Sequence, residues 1–419
     1  MANYKENHYV PQWYQRRFLP NDGEKKFRYL DLQPESFLDA KGVKRQKKAL
    51  QRWGTDNCFK QTDLYTTRFG EWESTEIEQF FFGRVDREGR EAVEYFDNFK
   101  HPSADSDAFH ALLNYMSVQK LRTPKGLGLL AEQTKLRGKN VVLLALQRLQ
   151  NLYCAIWTEA VWAIAEVGGA ATKFIISDHP VTAYNRDCFP QSEMCRGFRD
   201  PEIWRNGTHT IFPLSPTKAL LLTNLSWVRN PYGSAKRLRP HPNPLRPAMF
   251  NFTGIQTGRH LTEIEVNQVN FIIKRRAFRY IAAAVEEWLY PERHIPSGHW
   301  RKLDDRYLLM PDPRSVSFSS EMLIGYEGGA SDAFDEYGRR PWHQDYSDKT
   351  RHDREWRTFH RFQGEYARLF GPKRRGIGFD FGGRERNEDS PEFHQYHLDS
   401  ERGHLSSFAK PRRARRAAS

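Results

Sequence analysis

Cysteine is scarce in this chain: four in 419 residues, at Cys58, Cys154, Cys188 and Cys195. They are too few and too scattered for a disulfide framework, and none forms a C-x-x-C pair, which argues against a zinc ribbon. The thiols are therefore expected to be reduced, as in a cytoplasmic protein. Long apolar runs are missing too. No apolar core of a signal peptide follows the N-terminus, and no run reaches the roughly 20 residues of a membrane span. A secreted or membrane protein is not expected. Also absent are G-x-S-x-G, a phosphate-binding P-loop, H-E-x-x-H and any internal repeat.

What the chain does have is positive charge. Its 65 Lys and Arg outnumber 52 Asp and Glu, a net of +13. Residues 301–419 hold 23 of the former and 20 of the latter, so most of the excess lies on residues 1–300. A basic body suits a polyanionic partner, RNA, DNA or an anionic surface, and equally the plainer reading of a solvated basic surface. The densest basic stretch of the body is 41–52, with Lys44, Arg45, Lys47 and Lys48 as candidate nucleic-acid contacts.

Aromatic residues make up 14% of the chain, enough for a large core. Residues 13–19 read as a short helix with Pro11 ahead of it and Pro20 behind. Residues 27–32 and 64–67 read as strands. Helices are expected over about 71–99, with Thr75 and Glu78 as a capping box, and from Asp105 or Asp107 to Leu121, stopped by Thr123-Pro124. The apolar run 140–167 reads as a long central helix. Strands follow at 173–177, 208–212 and 218–223, then a last helix over 263–289. Beyond 300 the apolar residues thin out, and 330–419 reads as largely disordered, with a basic end at 410–416. The expected fold is α+β: a helix-rich single body, residues 1–299, with a small, mostly antiparallel sheet, and a charged C-terminal extension, residues 300–419.

Four places carry candidate chemistry. His8, Gln12 and Arg16 are four apart and share a face if a helix begins early. A histidine, an amide and a guanidinium suit an anionic ligand; the alternative is that they tie down the N-terminus. Glu71, Glu73, Glu76 and Glu78 crowd a helix start, where carboxylates can hold a divalent ion or simply answer the helix dipole. Gln119 and Arg122 are three apart at the end of a helix; Arg122 can clamp phosphate or pair with a carboxylate. Asp178-His179 ends a buried strand, as a functional pair or as an Asx-turn ahead of Pro180.

In this order the landmarks resemble the family known as domain of unknown function 4238. The shared pattern is H-Y-V-P-Q followed by two aromatics, here His8 to Phe18. An acidic helix follows around Glu78, then Q-x-x-R-T-P at Gln119 to Pro124 and S-D-x-P-V at Ser177 to Val181. P-L-S-P at Pro213 to Pro216 and a late helix bearing Asn267 and Asn270 complete it. The resemblance covers about residues 7–285; the stretch 185–207 and the tail after 300 depart from it. It implies that His8, Gln12, Glu78, Gln119, Arg122 and Asp178 converge, as a site or as a buried network, while the position of His179 varies.

Two functions are open at this point. In one, the protein acts on nucleic acid as a nuclease or phosphoesterase. His8 is then general acid or base, Glu78 and Asp178 bind a divalent metal ion or orient His8, and Gln12, Arg16, Gln119 and Arg122 hold phosphate. In the other, the protein is a non-catalytic binding module for nucleic acid or protein, and the same cluster is structural.

Overall fold

A computed structural model describes residues 6–20, 23–101, 103, 105–246, 248, 254–316, 322–335, 337–344, 346, 348–372, 378–379, 385–386 and 391–401. The basic end at 410–416 lies outside them. The fold is α+β. Its helices are α1 (Gln12–Arg16), α2 (Gly83–Asp97), α3 (Ser106–Arg122), α4 (Pro124–Thr134), α5 (Lys139–Arg148), α6 (Cys154–Thr158), α7 (Leu225–Arg229), α8 (Glu263–Arg276), α9 (Lys349–Phe370) and α10 (Pro391–Glu401). None among the described residues is long and apolar enough to cross a membrane.

The centre is a five-stranded sheet in the order 182–185, 208–213, 218–224, 160–167, 256–261. Its pairs are antiparallel except the last, which is parallel. Side chains along a strand point alternately to opposite faces. Trp162 and Ile164 therefore join a core with Phe96, Phe109 and Leu112 of α2 and α3. Ala163, Ala165 and Val167 join the core beneath α8, with Val266, Val269 and Ile273. A helical layer and α8 thus bury both faces of the strand. This corrects the single helix expected over 140–167: the chain forms α5, a turn, α6 and then the strand Ala160–Val167. A run buried on both faces has no alternating pattern, so periodicity alone does not separate strand from helix.

The other differences have similar local causes. The expected helix over 71–99 begins only at Ile77, as a π-helical turn Ile77–Phe82 that continues into α2. Trp72–Ser74 is instead a strand paired with Thr67–Phe69. The Thr75–Glu78 capping box is not made; the Thr75 hydroxyl accepts from the Gln79 amide. Helix α8 starts on a capping box between Thr262 and Glu265 but ends at Arg276. Tyr280–Ala283 is then a strand between Ile176–Ser177 and Phe27–Asp31 in a second, antiparallel sheet. Beyond residue 330, α9 is folded onto the body: Phe359, Phe362 and Tyr366 pack with Trp227, Val228 and Met310. The corner after α3 is as expected. The Asp105 carboxylate caps α3 at Ala108, and the Thr123 hydroxyl caps α4 at Gly126, with Pro124 in its first turn.

Candidate functional site

The N-terminal segment is held by the residues the resemblance singles out. His8 ends a strand paired with Lys60–Thr62, and α1 follows on Pro11. The Gln12 amide lies 3.3 Å from the His8 ring and donates to Asp56 at 2.9 Å. Arg16 donates to the Gln12 carbonyl at 2.9 Å. His8, Gln12 and Arg16 do share a face, therefore, with Asp56 as a fourth member. Burial pushes the pKa of His8 down, so the ring is neutral at pH 7. The rest of α1 docks elsewhere. The Tyr14 hydroxyl donates to the Pro213 carbonyl at 2.6 Å, and Arg17 donates to Leu214 and Asp97. Buried Gln15 donates to the carbonyls of Val10 and Cys58.

Gln119 and Arg122 extend the same clasp. The Gln119 amide donates to the Tyr9 carbonyl at 2.8 Å. Arg122, 1% exposed, spends its fork on Gln119 Oε1 and on Asp86 at 2.7 Å, and its carbonyl accepts from Tyr65. Its guanidinium lies 5.3 Å from the Phe82 ring centroid. An enclosed fork with these partners has little left for phosphate. Glu78 stands nearby with one buried oxygen that has no hydrogen-bond partner among the described residues. Burial, with Asp86 adding and Arg122 opposing, raises its pKa to about 7. Glu71 is separated from Glu78 by the strand Trp72–Ser74, and Glu73 pairs with Arg68.

Asp178 is an anchor for backbone. Its carboxylate accepts the N–H groups of Phe278, Arg279 and Tyr280 at 2.8, 2.6 and 2.9 Å, which turns the chain after α8. It is 2% exposed; burial pushes its pKa up to about 6 against the pull of those three donors. Both Asp178 oxygens are thus taken by backbone, and no hydrogen bond joins Asp178 to His8 or Glu78 among the described residues. Among the described residues no three His, Cys, Asp or Glu side chains are grouped to hold a metal.

A buried ionic cluster lies beside Asp178, unforeseen except for His179. Asp200 accepts from Lys120 at 3.0 Å, Lys125 at 2.6 Å and His179 Nε2 at 3.0 Å, and all four residues are buried. Thr123 Oγ1 lies 2.7 Å from His179 Nδ1. With the ring proton assigned to Nε2, the Thr123 hydroxyl donates to Nδ1 and the ring donates to Asp200. Burial, then Lys120, pushes the pKa of His179 down to about 3. An unfolded histidine titrates near 6.5, so the neutral buried ring contributes stability that is full above about 6.5 and is lost as pH falls toward 3. Glu78 and Asp178 shift in the opposite sense, so the readout is a difference between proteins. From pH 7 to pH 5, wild type should lose about 2 kcal/mol more unfolding free energy than His179→Gln. Urea unfolding at both pH values measures it; equal losses would contradict it.

Next to this cluster the surface opens into two adjoining clefts of about 610 and 930 Å³. The smaller one is lined by Lys125 of α4, Arg196 and Arg199 of the 185–207 excursion, and Arg275 and Arg276 at the end of α8, with no carboxylate in its wall. Arg199 pairs with Glu132, and Lys125 with Asp200. Arg196 and Arg275 are exposed and have no ion pair among the described residues. Arg276 is 2% exposed. It donates to the Cys188 carbonyl, sits 4.7 Å from the Trp300 ring centroid, and leaves its Nε without a partner among the described residues. The larger cleft shares Pro190, Gln191 and Arg275 and adds Arg186, Lys236 and Arg301 against one carboxylate, Asp187. Cations at the end of α8 also answer the helix dipole, but that is about half a charge, against three cations of the smaller cleft, Arg196, Arg275 and Arg276, with no ion pair among the described residues.

The basic stretch 41–52 borders this region. Lys44–Gln46 forms a hairpin with Ser36–Leu38. At its root the Gln33 amide, itself in the cleft wall, donates to the Phe278 carbonyl. Lys44, Arg45, Lys47 and Lys48 are all exposed; Arg45 and Lys47 are paired with Asp39 and Glu35. The cleft residues come from four separate stretches of chain and form no contiguous motif. Net charge was their only sequence signal.

Residues 149–287 match the model of a family described as Protein of unknown function (DUF4238). The match contains Asp178, the Pro213–Pro216 turn, the 185–207 wall of the clefts and α8, but neither His8 nor Lys125. No curated protein and no solved structure matches the chain.

Proposed function

We propose that this protein is a nucleic-acid-binding module that works through the paired basic clefts, and that the His8, Gln12, Gln119, Arg122 and Asp178 contacts hold the fold. The observation that carries the reading is the smaller cleft: five cationic side chains and no carboxylate line it, and buried Arg276 has no acidic partner among the described residues. Burying an ion without a counterion costs several kcal/mol. A phosphate backbone supplies the missing charge, and it suits the basic excess of residues 1–300. A cytoplasmic location belongs to the same reading and rests on the four free thiols, which a reducing compartment preserves. The test is binding of labelled RNA and DNA to the full chain, followed by fluorescence anisotropy over a range of salt. Affinity that falls log-linearly with salt supports the reading; no binding at low salt removes it.

A nuclease or phosphoesterase is the second reading, favoured by one observation: the unpartnered Glu78 oxygen, on a carboxyl that titrates at about 7, where a general acid works best. Cleavage of labelled RNA or DNA in Mg²⁺, Mn²⁺ or metal-free buffer, abolished by Glu78→Gln, would establish it. Intact substrate in all three buffers would leave the binding module.

A further inference from the structure

We infer that the clefts take single-stranded nucleic acid, with an unpaired base laid on the Phe198–Phe278 ring pair and its flanking phosphates held by Arg196 and Arg275. This rests on the nucleic-acid reading above and names the form of the ligand. Phe198 and Phe278 both line the smaller cleft. Their rings are stacked, with centroids 5.5 Å apart and planes at 30°, and each is more than a third exposed. Two apolar rings left open in a wall of cations match the way proteins hold unpaired strands, stacking bases on aromatics while cations track the backbone.

The platform is built rather than incidental. Phe278 is fixed at both ends of its backbone: its N–H is taken by the buried Asp178 carboxylate and its carbonyl by Gln33. Phe198 packs against α4 at Gly128, where a Cβ would come within 2.5 Å of a ring atom. A side chain at 128 would push Phe198 out of plane with its partner. Asp178 and Gly128 thus act as positioning residues for the pair. Phe189, half exposed in the neighbouring cleft across Pro190 and Gln191, offers the next base a surface of the same kind.

Size and chemistry both disfavour a duplex. At about 610 and 930 Å³ the clefts fall in the range of small-ligand pockets, about 300–1,000 Å³, room for one or two nucleotides each. A duplex keeps its base faces stacked inside and presents its backbone and base edges, so the ring faces would have no base face to stack on. Unpaired strands expose their base faces to aromatic side chains.

The test compares a labelled oligouridylate with a labelled duplex of equal length at one salt concentration, on the full chain. The single strand should bind at least tenfold more tightly. Phe198→Ala should weaken single-strand binding by on the order of tenfold, leave its salt slope unchanged and leave duplex binding unaffected. Phe198→Trp should restore it. Phe278→Ala should repeat the loss, and a thermal melt of each variant checks its fold. Equal affinity for strand and duplex, or single-strand binding untouched by both alanine variants, overturns the inference and leaves the nucleic-acid reading standing. No binding of either probe at low salt removes both.

Discussion

Asp200→Asn is expected to lower the free energy of unfolding by about 3–5 kcal/mol. In the native protein its carboxylate accepts from Lys120, Lys125 and His179 in a site closed to water. The asparagine keeps the shape and removes the charge. Two ammonium groups, each nearly buried, then face one another across a neutral amide. Burial already pushes the pKa of Lys120 down, so loss of Asp200 would drive it toward the neutral amine, and Lys125 would keep only the Arg276 carbonyl at 2.8 Å. Against a typical total of about 5–15 kcal/mol, this is a large fraction of the stability. Urea unfolding at neutral pH reads it directly. A loss under about 1 kcal/mol would mean that the cluster is hydrated or differently charged.

The second large effect is on binding. Arg196→Glu together with Arg275→Glu reverses two exposed charges in the smaller cleft. Affinity for RNA should fall on the order of 100-fold at physiological salt, and the salt slope should drop by about two phosphate contacts. Because both side chains are exposed and free of ion pairs among the described residues, stability should change by no more than about 0.5 kcal/mol. Reversing Lys44 and Lys48 on the neighbouring hairpin should have a smaller effect, since that surface lies at the edge of the groove. If the hairpin variant loses more than the cleft variant, the binding surface is centred on 41–52, where the sequence alone placed it.

Several features were legible in the sequence because their causes are local. Pro11 and Pro20 bracket α1, Thr123-Pro124 ends α3, and the alternation of Phe27 to Asp31 marks a strand. The start of the last helix at Glu263 was legible as well. What was not legible depends on contacts made across space. Ala160–Val167 is a strand because two neighbours pair with it and both faces are covered, and its residues read equally as helix. Helix α8 stops at Arg276 because Asp178, a hundred positions earlier, takes the next three free N–H groups. The sparse apolar residues of α9 look like a tail until Trp227 and Met310 are brought beneath them.

The candidate site divides along the same line. The polar positions of the N-terminal pattern fall into separate groups: Gln12 with His8 and Asp56, Gln119 with the Tyr9 carbonyl and Arg122, and Arg122 with Asp86. They meet as closed hydrogen-bond partners, each worth about 1 kcal/mol, and Asp178 meets backbone. The opening pattern is therefore legible as something anchored, but its purpose is not, because a clasp and a phosphate site draw on the same residue types. The basic clefts left no motif, since Lys125, Arg196, Arg275 and Arg276 are contiguous only after folding.

The most direct measurement is the salt dependence of RNA binding by the unmodified full chain. With a labelled single strand, binding should be tight at about 50 mM salt and weaken on the order of 50-fold by about 200 mM, the behaviour of a single-strand groove making about four phosphate contacts. Absence of binding at the lower salt, or an affinity that does not change with salt, would contradict it.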